Sequence, residues 1–548
     1  MPAHLVVKDL SIDFENALGI SKAVDAISFT LEKGETLGIV GESGSGKSVT
    51  ALAILNLLSA NAQVSGIIQM NRSGKDQTPI RKGKEVAMIF QEPMTALNPV
   101  LRCGEQILEV ILEHQSISKE VAIKEVEELL LQVQLTDVER IYKAYPHELS
   151  GGQKQRIVIA IALAAKPSML LADEPTTALD VTVQKEILTL LNQLKASYQL
   201  SIIFISHDLG VIKQMADRVA VMQQGKIVEL GSIQQVFTNP QHVYTKGLLA
   251  CRPSQNMHLE KLPSLDKVDI SAMNRKENVK RKAYLETQPI LLKVENLSKW
   301  YPTKKNFLGQ IKNHVKAVNK VSFEVRKGET FGLVGESGCG KSTLGRTIIG
   351  LEKATQGNIW YNQTNLLQLS AKEWQVWRKR LQIIFQDPYS SLNPTQPIGL
   401  AIQEPMTIHG LWNNEAARKE KTIHLLELVG LEANHFLRFP HEFSGGQRQR
   451  VCIARALALE PEFLICDECV SALDVSVQAQ ILNLLIDLRA QLDLTYIFIS
   501  HDLSVVRFIS DRIMVMKDGE VVEIGAAEQI YDAPQSLYTR QLVEAIPL

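Results

Sequence analysis

Two short stretches of this chain have the residue types and spacing to hold a nucleotide's phosphates: GESGSGKS at 41–48 and GESGCGKS at 335–342. Both fit the pattern G-x-x-x-x-G-K-[ST]; an apolar run precedes each and a helix-forming segment follows. Gly41, Gly44 and Gly46, with Ser43 between them, let backbone N–H groups turn inward around phosphate oxygens. Gly335, Ser337, Gly338 and Gly340 repeat the arrangement. The helix behind each loop, which takes in Val49 and Thr343, adds the partial positive charge of its N-terminus. Lys47 and Lys341 are expected to reach the β- and γ-phosphates of ATP, and the hydroxyls of Ser48 and Ser342 to ligate Mg2+.

The apolar runs SMLLADE (168–174) and EFLICDE (462–468) each end in two acids. Adjacent carboxylates closing a buried strand usually open into a site, because an unpaired buried charge is costly. Asp173 and Asp467 are the expected outer-shell partners of Mg2+. Glu174 and Glu468 are placed to orient or deprotonate a water attacking the γ-phosphate. The second run also holds Cys466-x-x-Cys469, a spacing shared by zinc sites and redox dithiols. No second such pair or His pair lies nearby to complete four ligands. Ala172 and Pro175 stand at the corresponding positions of the first run, so the thiols read as structural filler. A redox-sensitive thiol beside the ATP site is the alternative.

The elements that must position these residues occur twice. PHELSGGQKQR (146–156) returns as PHEFSGGQRQR (440–450), and FISHDL (204–209) as FISHDL (498–503). The offset is 294 residues throughout, which means two copies of a whole domain rather than a solenoid. A polar stretch without sustained periodicity separates them, giving a first domain at 1–252, a linker at 253–288 and a second domain at 289–548. Within each half, short apolar runs such as 200–206 and 494–500 alternate with helical segments such as 183–195. That alternation predicts an α/β layer with a mainly parallel sheet.

A net charge of −1 gives no whole-protein field to draw in nucleic acid or anionic lipid. Six cysteines in 548 residues are too few for a disulfide framework and suit a reducing compartment. No apolar run approaches the roughly 18 to 20 residues of a membrane helix, and MPAHLVVKDLSIDFE does not read as a secretory signal. The chain is expected in the cytosol, with membrane contact only through other subunits.

The tetrapeptide Ser-Gly-Gly-Gln, at 150–153 and 444–447, offers a hydroxyl and consecutive amides at a predicted helix N-terminus. In this position it resembles the signature of ATP-binding cassette (ABC) proteins, and the resemblance covers both halves outside the linker. It implies two tandem P-loop ATPase domains, each with a mainly parallel core sheet, an antiparallel β subdomain, a helical signature subdomain and a short C-terminal tail. It further implies that Ser150, Gly151, Gly152 and Gln153 of one half close on the nucleotide of the other. Ser444, Gly445, Gly446 and Gln447 do the reverse, making an intramolecular head-to-tail pair. Gln91 and Gln386 match the glutamine that touches Mg2+ and the attacking water. His207 and His501 match the switch histidine on the γ-phosphate, and Asp180 and Asp474 match the loop that crosses the dimer interface. Phe14 and Tyr301, each four residues after a leucine, match the aromatic stacked on adenine; Trp300 competes with Tyr301, and Phe14 also suits the core. His147 and His441 read as local structural residues. Both copies keep the full set, so both sites are expected to hydrolyse ATP.

The loops QEPMTALNP and QDPYSSLNP, and the tails NPQHVYTKGLLACRP (239–253) and APQSLYTRQLVEAIP (533–547), resemble those of oligopeptide, dipeptide and nickel importer ATPases. That resemblance implies an ATPase subunit powering peptide uptake through two separate transmembrane permeases fed by an extracytoplasmic solute-binding protein, at the cytoplasmic face of the inner membrane. Some members hold an iron–sulfur cluster near this tail; with Cys251 as its one cysteine, none is expected here. The alternative is a soluble double-cassette ATPase of translation or DNA repair.

Overall fold

The strands Ser201–Ser206 and Thr495–Ile499 bury every side chain, as expected of apolar, β-branched runs covered on both faces. The structure, a computed structural model, describes residues 4–16, 19–71, 80–177, 179–251, 261–263, 278–305, 311–471 and 473–546. It divides into two compact units, Met1–Ala250 and Cys251–Ile546.

In the first unit a six-stranded sheet runs in the order Val86–Ile89, Met169–Asp173, Ser201–Ser206, Thr36–Val40, Arg218–Gln223, Lys226–Ser232. All neighbours pair in parallel except the last two, which are antiparallel. The second unit repeats this order with Leu381–Ile384, Phe463–Asp467, Thr495–Ile499, Thr330–Val334, Arg512–Lys517 and Glu520–Ala526. The phosphate loops follow Thr36–Val40 and Thr330–Val334, and of the paired acids Asp173 and Asp467 end their strands while Glu174 and Glu468 stand just beyond.

Each unit also has an antiparallel sheet. Leu5–Asn16 lies between Gly19–Leu31 and Ala62–Met70, and Ile290–Lys305 between Ile311–Arg326 and Gln356–Tyr361. Helices Cys103–His114, Lys119–Gln132 and Gly151–Leu163 form the helical part of the first unit; Ile398–Ile408, Glu415–Leu428 and Gly445–Leu457 form that of the second. The fold class is therefore the expected one.

In the second unit the parallel sheet separates two cores by strand alternation. Phe463, Ile465, Ile497 and Ile499 pack toward the antiparallel sheet, while Leu464, Cys466, Tyr496 and Phe498 pack toward the helices. Each such buried side chain contributes about 1.5–3 kcal/mol, which fixes the strand ends to which the polar residues are attached.

Parts of the polar stretch between the halves have structure. Asn278–Thr287 is a helix, and the Arg281 guanidinium donates to both carboxylate oxygens of Asp511 (2.5 and 2.7 Å) and to the Gly328 carbonyl (3.1 Å). Leu262 is buried, and its backbone N–H and C=O both bond the Asn483 side chain, at 2.9 and 2.8 Å. Residues 253–260 and 264–277 lie outside the described residues.

Candidate active site

Each phosphate loop joins a buried five-residue strand to an eight-residue helix: Thr36–Val40 to Lys47–Ile54, and Thr330–Val334 to Lys341–Ile348. Glycine is required by contact as well as conformation. Gly340 has φ +102, and a Cβ there would stand 1.9 Å from the Ala317 carbonyl oxygen. A Cβ on Gly41 or Gly335 would come within 2.2 Å of the next strand's backbone. Ser43, Gly44, Ser337 and Gly338 form the exposed tip of each loop, and Val49 and Thr343 sit half-buried on the helix behind it.

Lys47 and Lys341 are buried, with only 6% and 4% of their surface exposed. The Lys47 ammonium donates to the carbonyls of Gly41 and Glu42 at 2.7 and 2.9 Å, and Lys341 to Gly335 and Glu336 at the same distances. A buried ammonium held at the mouth of an amide-lined loop suits an anionic ligand. Ser48 donates to Asp173 Oδ1 at 3.0 Å, and Ser342 to Asp467 Oδ1 at 2.7 Å.

Glu174 and Glu468 follow their strands with left-handed backbone, φ 46 and 49, and each N–H is tied to the neighbouring strand at 3.0 Å. One Glu174 oxygen, Oε2, meets Gln91 Nε2 (3.2 Å), His207 Nδ1 (2.9 Å) and Thr177 Oγ1 (2.8 Å). In the second unit, Glu468 Oε2 meets Gln386 Nε2 at 2.9 Å and His501 Nδ1 at 3.5 Å. Burial pushes both glutamates up, but the hydrogen bond and charge of the histidine outweigh it, so each carboxyl sits below its ordinary value. A carboxylate kept ionised and pinned on one oxygen leaves the other available to a water.

The neighbouring aspartates behave oppositely. Burial, together with the Glu174 charge, pushes Asp173 up to about 6 against a pull from Ser48 and Lys47. Asp467 is also raised by burial; the Arg346 guanidinium, 3.8 Å from its Oδ2, restrains it, and the first unit has Leu52 at that place. The oxygen donors of Ser48, Asp173 and Gln91 fit a hard divalent cation, and an unsettled carboxylate is what such a cation would neutralise.

This opposition yields a prediction for metal- and nucleotide-free protein. Above pH 6 the ionised Asp173 sits in the fold at a cost of up to about 3 kcal/mol, and below about pH 4 the cost vanishes. Asp173→Asn is therefore expected to stabilise the first unit at pH 8, progressively less toward pH 4, while abolishing hydrolysis there. Urea unfolding in chelator at several pH values checks the sign.

The signature residues belong to another element. Ser150 caps the 13-residue helix Gly151–Leu163: its Oγ accepts from the Gln153 N–H (3.3 Å), and Gln153 Oε1 accepts from the Ser150 N–H (3.1 Å). Ser444 and Gln447 cap Gly445–Leu457 in the same way, at 3.3 and 3.1 Å. Gly152 and Gly446 lie against Val183 and Val477, which a Cβ would strike at 2.7 and 2.2 Å. Asp180 and Asp474 precede the helices Val181–Tyr198 and Val475–Leu492. His147 and His441 are exposed and stack on Tyr145 and Phe439 at 5.8 Å.

Phe14 is half-buried on Leu5–Asn16 and packs against the first core. Trp300 and Tyr301 are both half-buried on Ile290–Lys305; Lys316 lies over the first ring and Lys299 over the second, at 5.6 and 4.7 Å. Thr177, in the stretch LADEPTTALDV, and Arg346 are polar neighbours of the acids to which the sequence alone assigns no role.

Cys466 and Cys469 are 0% and 2% exposed. A hydrogen bond with the Cys469 thiol, then burial, pushes Cys466 well above the ordinary thiol range, which disfavours the thiolate that metals and oxidants need. Purified protein is expected to carry no stoichiometric zinc or iron by elemental analysis. Cys469→Pro should keep its ATPase activity, since Pro175 follows a left-handed Glu174 in the first unit. A metal retained at one per chain would contradict this account of the pair.

The fold and these paired sites define the class. The family described as "ABC transporter" matches residues 24–177 and 318–471, and "Oligopeptide/dipeptide transporter, C-terminal region" matches 228–278. The chain belongs to the ABC transporter family. It is the ATP-hydrolysing subunit of a peptide-class importer, peripheral to the membrane and working with membrane permeases. Among particular proteins, it is 46% identical to the "Glutathione import ATP-binding protein GsiA" of Escherichia coli K12, over 99% of this chain and 89% of the relative. The protein of that name from Salmonella typhimurium matches at the same identity and coverage. A dimeric ATP-binding cassette, solved in a post-hydrolysis state with ADP and phosphate, matches at 28% identity and a TM-score of 0.39, over 43% of this chain and 98% of that one. Among the described residues, no helix is long and apolar enough to cross a membrane.

Proposed function

We propose that the chain drives import of glutathione or similarly short peptides through two permeases, supplied by an extracytoplasmic solute-binding protein, from the cytoplasmic face of the inner membrane. The observation that carries this reading is the intact duplicate network, Lys, Ser, Asp, Glu, Gln and His in both units, joined to a tail of the peptide-transporter type. The resemblance to GsiA over the whole chain supports the cargo class.

In this reading Lys47 and Lys341 face the β- and γ-phosphates beside the loop amides. Phe14, and Tyr301 or Trp300, stack on adenine, worth about 1–3 kcal/mol each by analogy with base–aromatic contacts. Ser48, Asp173 and Gln91, and Ser342, Asp467 and Gln386, would hold Mg2+ directly or through water; when bound, it neutralises phosphate charge. Glu174 and Glu468 receive the proton of the attacking water on the oxygen their partners leave open. His207 and His501 bridge that carboxylate and the γ-phosphate. The signature residues of each half close on the nucleotide of the other, so the 1–252 and 289–548 domains act as one head-to-tail pair joined by 253–288.

The test is uptake. Cells lacking the gene, complemented with the parent chain, should regain uptake of labelled glutathione. Cells given the Glu174→Gln, Glu468→Gln double variant should not. Restored uptake of longer oligopeptides without glutathione would overturn the cargo assignment, and no co-purifying membrane subunit would overturn the partner assignment.

A further inference from the structure

Each tail ends in a helix that reaches back to its own phosphate loop. In the first unit this is Val243–Ala250, in the second Leu537–Glu544. The tail tyrosines are buried, and their hydroxyls accept the N–H of the residue after the first loop glycine. Glu42 N donates to Tyr244 Oη at 3.1 Å, and Glu336 N to Tyr538 Oη at 3.2 Å.

The peptide group involved is significant. The Glu42 N–H and the Gly41 C=O belong to one planar unit, with the two groups pointing in opposite directions. The N–H side is held by Tyr244, and the C=O side holds the Lys47 ammonium at 2.7 Å. The same relay runs from Tyr538 through the Gly335–Glu336 peptide to Lys341, again at 2.7 Å. A hydrogen bond on one end of an amide fixes the plane and strengthens acceptance at the other.

The tail helix is itself anchored. Glu229 accepts the N–H groups of Gln241 and His242 at 2.8 and 3.1 Å, and Glu523 accepts those of Gln535 and Ser536 at 3.0 and 3.1 Å. These carboxylates hold the chain just ahead of each helix and so set where the tyrosine ring enters. The arrangement recurs in both units although the residue two before the tyrosine differs, His242 against Ser536.

We infer that Tyr244 and Tyr538 are positioning residues of the two nucleotide sites: through one peptide each, they fix the carbonyl that steadies the phosphate-binding lysine. The peptide-transporter tail is thereby part of each cassette's own ATP site. Removing the hydroxyl leaves the ring packed but frees the peptide to rotate, so the lysine loses its fixed approach to the phosphates. Nucleotide affinity falls, while the acid, glutamine and histidine that act on the water are untouched.

The inference rests on the phosphate-loop reading, and the test separates the two. Tyr244→Phe and Tyr538→Phe in the full chain, purified with its membrane subunits, are compared with Lys47→Ala and Lys341→Ala. Photolabelling with 8-azido-ATP, followed by proteolysis that separates the halves, reads each site individually. Each Phe variant is expected to lower affinity at its own site by about 3- to 10-fold, the worth of one hydrogen bond. The ATPase KM should rise, with kcat close to the parent. Glu229→Gln and Glu523→Gln, which loosen the anchor, are expected to move KM in the same direction. Parent-like affinity in both Phe variants, with binding lost in the Lys variants, overturns this inference alone. Reduced folding yield with unchanged affinity in the folded fraction also overturns it. Unchanged binding in the Lys variants overturns the phosphate-loop reading beneath it.

Discussion

Lys47→Ala is expected to weaken ATP binding by the first unit about 10- to 100-fold while leaving the second unit's affinity unchanged, and Lys341→Ala to do the converse. The magnitude is that of a charge-assisted hydrogen bond lost from a buried site. Both ammonium groups are almost wholly buried and are held by two loop carbonyls, so alanine removes the cation facing the phosphates and leaves those carbonyls behind. Equilibrium titration with a fluorescent ATP analogue checks stoichiometry and affinity. Two sites of parental affinity in both variants would rule out the loops as the phosphate-binding elements.

The second large effect concerns the bases. The Glu174→Gln, Glu468→Gln double variant is expected to bind ATP as the parent does and to hydrolyse it about 10²- to 10⁴-fold more slowly, the worth of a positioned general base. Glutamine keeps an oxygen to accept from Gln91, Thr177 and His207 but cannot take a proton at neutral pH. If the halves pair head to tail, the two-ATP state should accumulate in this variant. Ser45→Cys and Ser444→Cys, placed in it after replacement of the six native cysteines, should then crosslink within one chain when ATP is added. Ser444→Arg, tested without the Cys pair, should prevent closure over the intact Lys47 loop. Crosslinks found only between chains would refute the intramolecular pair.

Much of this was legible in the sequence for physical reasons. The parallel strands declared themselves because strands buried on both faces need continuous apolar runs, as in SIIFIS and FLICD. The phosphate loops were legible because backbone crowding at Gly41, Gly335 and Gly340 leaves no room for a side chain. The acids were legible because they end strands that otherwise admit nothing charged. What escaped depends on contacts between residues far apart in the chain. Arg346 approaches Asp467 across 121 positions and Tyr244 reaches Glu42 across 202, and no local periodicity records either. The Asn278–Thr287 helix was hidden for a different reason. Its charged composition has no sustained apolar stripe, and what the structure gives it is the ion pair between Arg281 and Asp511 and one buried leucine, Leu285.

The left-handed backbone at Glu174 and Glu468 bears on what replacing either residue would do to the fold. A non-glycine residue at φ near 50 costs about 1 kcal/mol or more, and it is the fold around each site that imposes it. Glutamate to glycine at either position would relieve that strain and remove a buried carboxylate in one step. The same step would strip Gln91, Thr177 and His207, or Gln386 and His501, of the acceptor they share, so the strain relieved is set against donors left unpaired. Each glutamate is thus kept in its left-handed conformation by a neighbouring-strand carbonyl on its N–H and by the donors on its carboxylate, so any substitution there changes strain and pairing together.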